Sequence, residues 1–174
     1  MPMDEAAAIE HALFADTVTV ELPLRLAVLA GPLPAGAIEQ AERLLQWIAA
    51  VEDRRGDEGE GATTPALRRI ETKLDVLLHL LAQALPAPEP LPLQPVRIGP
   101  RGLRLETAAV DVEHAVLHWQ PSDALPLGLK LPLHRLGADG RSWAFDAPGP
   151  LLEEALERQV FRLHRRWRAQ QRSI

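Results

Sequence analysis

Three arginines fall within the stretch Arg97-Ile98-Gly99-Pro100-Arg101-Gly102-Leu103-Arg104. A guanidinium presents a planar fork of N–H donors, so arginines are suited to gripping phosphates and stacking on flat rings. Gly99-Pro100 and Gly102 call for a tight turn. On the residues alone, Arg97, Arg101 and Arg104 read as solvated arginines around a plain turn, with donors that would suit an anionic group. Other chemistry finds less support. His114 and His118 share a strand face near Asp111 and Glu113, but a metal site needs three or four converging ligands, and surface or half-buried histidines fit better. Ser122, Ser142 and Ser173 lie in no Gly-x-Ser-x-Gly turn, which argues against a serine hydrolase. Glu153-Glu154 suits a helix N-terminus better than a catalytic pair. No phosphate-loop or dinucleotide fingerprint occurs. With no cysteine, disulfides and thiolate metal sites are excluded. The expectation is a chain that is not an enzyme, with no cofactor and no metal.

Charge narrows the partners. The net charge is −5 and is unevenly spread. Residues 1–60 carry 12 acids and 4 bases, residues 61–150 carry 9 of each, and residues 151–174 carry 3 acids and 6 arginines. An acidic body argues against general nucleic-acid binding, which needs a basic face to displace counterions. The basic tail is the exception, and Arg162, Arg166 and Trp167 are candidates for docking an unknown protein partner. No apolar run approaches the roughly 20 residues that cross a bilayer. The start of the sequence lacks the basic and apolar blocks of a secretory signal, so a cytoplasmic protein is expected. The 17 arginines against 2 lysines, with abundant Ala, Leu and Pro, resemble the product of a GC-rich bacterial genome.

These residues need elements to hold them. Residues 17–30 alternate as a strand, with Val18, Val20, Leu22, Leu24 and Leu26 on one face. Pro23 cannot donate to a ladder, which predicts an edge or a bulge there. After the breakers of residues 31–36 a helix is predicted over 36–52, with Ala37, Ala41, Leu44, Ile48 and Val51 on one stripe, widened by Leu45 and Trp47. A charged, glycine-dotted loop follows. Thr64 as cap and Pro65 as first residue open a second helix that should run to Leu85. Residues 86–95 form a proline-rich, stiff connector. Strands are then predicted at 94–98, 102–107, 114–120, 126–133 and 141–146, and a final helix at 150–171. Short strands at this spacing suggest a small barrel or sandwich. The class is α+β, mainly β, with a helical hairpin at 36–85 inserted into a β domain made of residues 1–30 and 94–174.

The second helix carries heptads. With Leu67 at position a, that position holds Leu67, Leu74 and Leu81, and position d holds Ile70, Leu77 and Ala84. Flanking sites e hold Glu71, Leu78 and Leu85 and sites g hold Lys73 and Leu80, largely leucine where a two-stranded coil usually carries charge. So wide an apolar face suits three or four helices about one axis. The predicted interface is Leu67, Ile70, Leu74, Leu77, Leu78, Leu81 and Leu85, in a homo-oligomer with a tetramer favoured and a trimer or dimer open. Packing within one chain against helix 36–52 is the alternative.

The segment Val96 to Thr107, the alternating strands after it and the arginine-rich stretch Leu152 to Arg166 resemble the PilZ domain family. The resemblance spans residues 17–30 and 94–170 and implies a six-stranded β-barrel with a C-terminal helix. Many members bind cyclic di-GMP through an Arg-x-x-x-Arg pair before the first strand and Asp/Asn-x-Ser-x-x-Gly after it. Here the second motif aligns as Arg97-x-Gly99-x-x-Gly102, keeping only the glycine. The first is absent, because residues 1–24 contain no arginine. Arg97 and Arg101 read Arg-x-x-x-Arg but lie inside the second motif. The resemblance thus implies a non-binding adaptor, acting by protein contact in bacterial cyclic di-GMP-related signalling, motility or virulence regulation. The alternative that the resemblance leaves open is a cyclic di-GMP receptor whose nucleotide contacts are the non-standard set Arg97, Arg101 and Arg104.

Overall fold

A computed structural model describes residues 2–56, 69–70, 73–74, 77, 91–107, 110–122, 127–146 and 149–172. Among them are helix α1 (Pro2–Phe14), strand β1 (Val20–Leu29), helix α2 (Ala37–Gly56), strands β2 (Leu93–Gly99), β3 (Gly102–Leu105), β4 (His114–Trp119), β5 (Leu129–Leu136) and β6 (Ser142–Phe145), and helix α3 (Pro150–Gln171). The class is α+β, as the patterning predicts. Helix α1 is new: alanines, the best helix formers, fill its middle, and its apolar positions are too few to read as a stripe.

The strands form one closed antiparallel barrel in the order β1-β2-β3-β6-β5-β4. Closure depends on β1, which is long enough to change partners. Val20 to Arg25 pair with β2, and Leu26 to Leu29 pair with β4. At the handover Leu26 N–H donates to Pro92 O and Gln120 N–H donates to Arg25 O. The edge predicted at Pro23 holds locally: β4 pairs with β1 only from Leu26, so Pro23, directly opposite Pro95, has a strand partner on its β2 side alone, and no bulge occurs there. The Pro95 carbonyl accepts from Glu106 N–H on the other side, so neither ring interrupts a ladder bond between β1 and β2.

Alternation decides what fills the barrel. Leu26, Val96, Ile98, Leu103, Leu105, Leu117, Trp119, Leu131, Leu133 and Trp143 are buried in one cluster. The same cluster takes in Ala41, Leu44, Leu45 and Ile48 of α2 and Leu152, Ala155, Leu156, Val160 and Leu163 of α3. Trp47 does not widen the α2 stripe; it is exposed, as are Leu151 and Phe161 of α3. Pro150 opens α3 after Gly149, where a missing N–H is harmless. Gln159 is the one buried polar group along α3 and donates from Nε2 to Pro121 O at 2.9 Å.

The described chain divides into two compact units, residues 1–49 with 91–174, and residues 50–90. In the second, Arg69, Ile70, Lys73, Leu74 and Leu77 are helical. No helix among the described residues is long and apolar enough to cross a membrane.

Candidate functional site

The three arginines of the opening stretch lie on the β2–β3 hairpin. Its strands pair Val96 with Leu105, Arg97 with Arg104 and Gly99 with Gly102, leaving Pro100 and Arg101 as the turn. Val96, Ile98, Leu103 and Leu105 point inward, so alternation places Arg97 and Arg104 together on the outer face. The register extends this pair into a row across four strands, Glu21, Arg97, Arg104 and Ser142.

Helix α1 lies over one part of this face. It ends where Asp16 takes a left-handed backbone conformation, φ 56°, which short polar residues tolerate, and the Thr17 hydroxyl donates to Phe14 O. Three apolar side chains seat it. Leu13 is 1 % exposed and Phe14 is buried beside it. A Cβ on Gly102 would lie 2.7 Å from Leu13 Cδ2 and 2.9 Å from Ala144 Cα, so only glycine admits the helix and strand β6 together. A Cβ on Gly99 would meet Phe14 Cδ1 at 3.2 Å. Ile9 rests against Gly137, in the β5–β6 turn.

The polar contacts follow from that seating. Glu10 forms an ion pair and hydrogen bond with Arg97 Nη1. Glu21 stands 3.5 Å from Arg97 Nε, and the guanidinium carbon lies 4.5 Å over the Phe14 ring. Arg101 donates to Ala15 O at 3.5 Å, and Arg104 pairs with Asp139 at 3.6 Å. All three candidate nucleotide contacts are therefore engaged by acceptors of the same chain. Glu10, Leu13 and Phe14 are the site residues that patterning missed. The signal available was Glu10 and Phe14, with Ile9 and Leu13, at four-residue spacing.

The remaining candidates are dispersed. His114 lies opposite His134, and His118 lies opposite Lys130. Burial, then the Lys130 charge, pushes His118 below its ordinary pKa. No three His, Asp or Glu side chains among the described residues are placed to hold a metal. On α3, Arg162 donates from Nε and Nη2 to Gln159 Oε1 at 3.2 and 3.0 Å. Trp167 stacks loosely on His164, with ring centroids 6.2 Å apart, and Arg166 is exposed. Of the heptad positions, Ile70, Leu74 and Leu77 are described and are 53, 53 and 61 % exposed. Leu67, Leu78, Leu81 and Leu85 lie outside the described residues.

The family model of the atypical PilZ domain, described as a cyclic di-GMP receptor, matches residues 45–173. Among solved structures, a pathogenic protein from Xanthomonas campestris is similar at 35 % identity and a TM-score of 0.77, over 94 % of this chain and 97 % of that one. It is described as a tetrameric PilZ domain self-assembled through an unusual helical bundle. No curated protein matches the chain.

Proposed function

The chain belongs to the atypical PilZ domain family, and from that premise we propose that it is a non-catalytic, self-assembling adaptor that does not take cyclic di-GMP. It acts in the bacterial cytoplasm through protein contacts, in cyclic di-GMP-related signalling, motility or virulence regulation. The observation that carries this reading is the state of Arg97. The position aligned with the family's acidic or amide ligand residue is an arginine, and a carboxylate and an aromatic ring of its own chain already hold it. A dinucleotide arriving there would have to displace Glu10 and Phe14, and it would find no second arginine pair before β1.

Assembly is supported by the exposed row Ile70, Leu74 and Leu77 on one helical stripe. Monomeric surfaces rarely leave such a stripe bare. The similar Xanthomonas protein is tetrameric, and a tetramer through the heptad segment is the assembly proposed here.

A second reading is favoured by one specific observation, the receptor description of the family model. In it, Arg97, Arg101 and Arg104 hold the nucleotide. Titration calorimetry with cyclic di-GMP separates the two. No measurable heat at micromolar protein supports the adaptor, and a micromolar Kd establishes the receptor. Recovery of a protein partner by the intact chain, lost when Arg162, Arg166 and Trp167 are all replaced by alanine, tests the docking role.

A further inference from the structure

The outer-face row Glu21, Arg97, Arg104 and Ser142 holds more polarity than its neighbours satisfy. Residues directly opposite on adjacent antiparallel strands have their Cβ atoms about 5 Å apart, so Arg97 and Arg104 stand side by side, with Ser142 next in line. Two polar atoms of this row, Arg97 Nε and Ser142 Oγ, are buried without a hydrogen bond. Ser142 is 1 % exposed, so its hydroxyl has no ready access to water. Buried polar groups normally find partners, and an orphan hydroxyl at the position opposite Arg104 leaves a donor in this row without an acceptor. Carboxylates meet part of that demand from the edges. Glu10 and Glu21 flank Arg97, and Asp139 stands 3.6 Å from Arg104.

We propose that Arg97, Arg104 and Ser142 form an anion site for a phosphate group and that helix α1 is the latch that closes it. Glu10 supplies a carboxylate where a phosphate oxygen would otherwise be bound. Leu13 and Phe14 fasten the helix through contacts that depend on Gly102 and Gly99 having no Cβ. With α1 lifted, Arg97 loses its Glu10 and Phe14 partners and can turn, beside Arg104, to an incoming anion. Phosphate matches this set better than a carboxylate, because its oxygens can engage both guanidinium groups at once. The turn at Asp16 is where the helix would hinge, since a single left-handed residue there directs the chain from α1 into β1.

This inference rests on the reading that the closed form rejects the dinucleotide, and the test separates the two. Inorganic pyrophosphate and cyclic di-GMP are each titrated calorimetrically into the full chain, the Glu10→Gln variant and the Glu10→Gln/Leu13→Ser variant. Hydrogen exchange of residues 5–14 reports whether α1 has loosened. The latch predicts pyrophosphate affinity at least about tenfold higher in the Glu10→Gln/Leu13→Ser variant than in the parent and a smaller gain in Glu10→Gln alone, and loss of both gains when Arg97→Ala is added. It further predicts that pyrophosphate speeds hydrogen exchange of α1 in the parent chain. Loosened variants with the parent's pyrophosphate affinity, in a folded barrel, would overturn the latch. A gain that survives Arg97→Ala would also overturn it, since the anion would then be bound elsewhere. Tight cyclic di-GMP binding by the parent would sink the non-binding reading instead, while the pyrophosphate comparison still judges the latch.

Discussion

At the scale of single residues, the chemistry of this chain turns on what surrounds Arg97. The sequence puts an arginine where the family places an acid or amide, and the consequence is visible in the contacts: the group is held by Glu10, Glu21 and the face of Phe14. That arginines and glycines share this turn was legible from residues 97–102. That Arg97 is covered by Glu10 and Phe14 was not, because a contact between residues 10 and 97 has no local pattern. Gly102 tests this packing. Gly102→Ala would place a methyl 2.9 Å from the Ala144 backbone, which cannot rotate away. The expected cost is about 3 kcal/mol, the upper end for overpacking, seen as a large drop in Tm. An unchanged melting point would show that β3 and α1 are not seated as described. His118 offers a pH test. Its pKa is depressed by burial, with Lys130 opposite adding to the effect, from an ordinary 6.5. A histidine that resists protonation in the fold contributes its full stability above pH 6.5, and the contribution falls as pH drops from 6.5 toward the lowered folded value. Imidazole NMR should show a midpoint under 6.5 that moves up in Lys130→Gln. A midpoint at or above 6.5 in the parent would contradict the burial.

At the scale of elements, period-two and period-3.6 patterning located the six strands, α2 and α3 within a few residues. One strand, β5, is displaced as a whole, predicted at 126–133 and found at Leu129–Leu136. Leu127, Leu129, Leu131 and Leu133 alternate through both ranges, so alternation alone cannot say where pairing with β4 begins. The miss of α1 has a different cause. Helical stripes are recognised by repeated apolar positions, and α1 offers chiefly Ile9, Leu13 and Phe14 among alanines and acids. Its attachment is correspondingly apolar rather than ionic. Leu13→Ala should cost about 2–5 kcal/mol, as for other buried leucines, whereas Glu10→Ala should cost only about 0.2–1 kcal/mol, as for exposed or half-exposed ion pairs. Denaturant titration of the two variants should keep that order; the reverse order would make the ion pair the anchor. Helix α3 depends on Gln159. Gln159→Leu keeps the volume but strands the Pro121 carbonyl and removes one acceptor of Arg162. A loss of about 1–3 kcal/mol follows from the unsatisfied buried carbonyl, and an unchanged denaturation midpoint would show that the bond contributes nothing.

At the scale of the whole molecule, the barrel closes through the change of partners along β1, a feature a strand list cannot reveal, since register and order depend on contacts far apart in sequence. Trp47 shows the limit of helical wheels in the same way: periodicity places its side chain on a stripe, but the extent of the neighbouring surface leaves it exposed. The proposed assembly through the heptads belongs to a still larger scale, the relation between copies. Leu74→Glu with Leu77→Glu should yield monomers whose strand signal and barrel melting are retained; loss of the barrel as well would make the heptad stripe part of the chain's own core. The central proposal, a tetramer whose arginine turn is already filled from within, is tested most directly by native mass spectrometry in the presence of cyclic di-GMP. The account predicts a species of four times 19.2 kDa, about 77 kDa, with no nucleotide adduct. A 19.2 kDa monomer, or a tetramer carrying bound cyclic di-GMP, would contradict it.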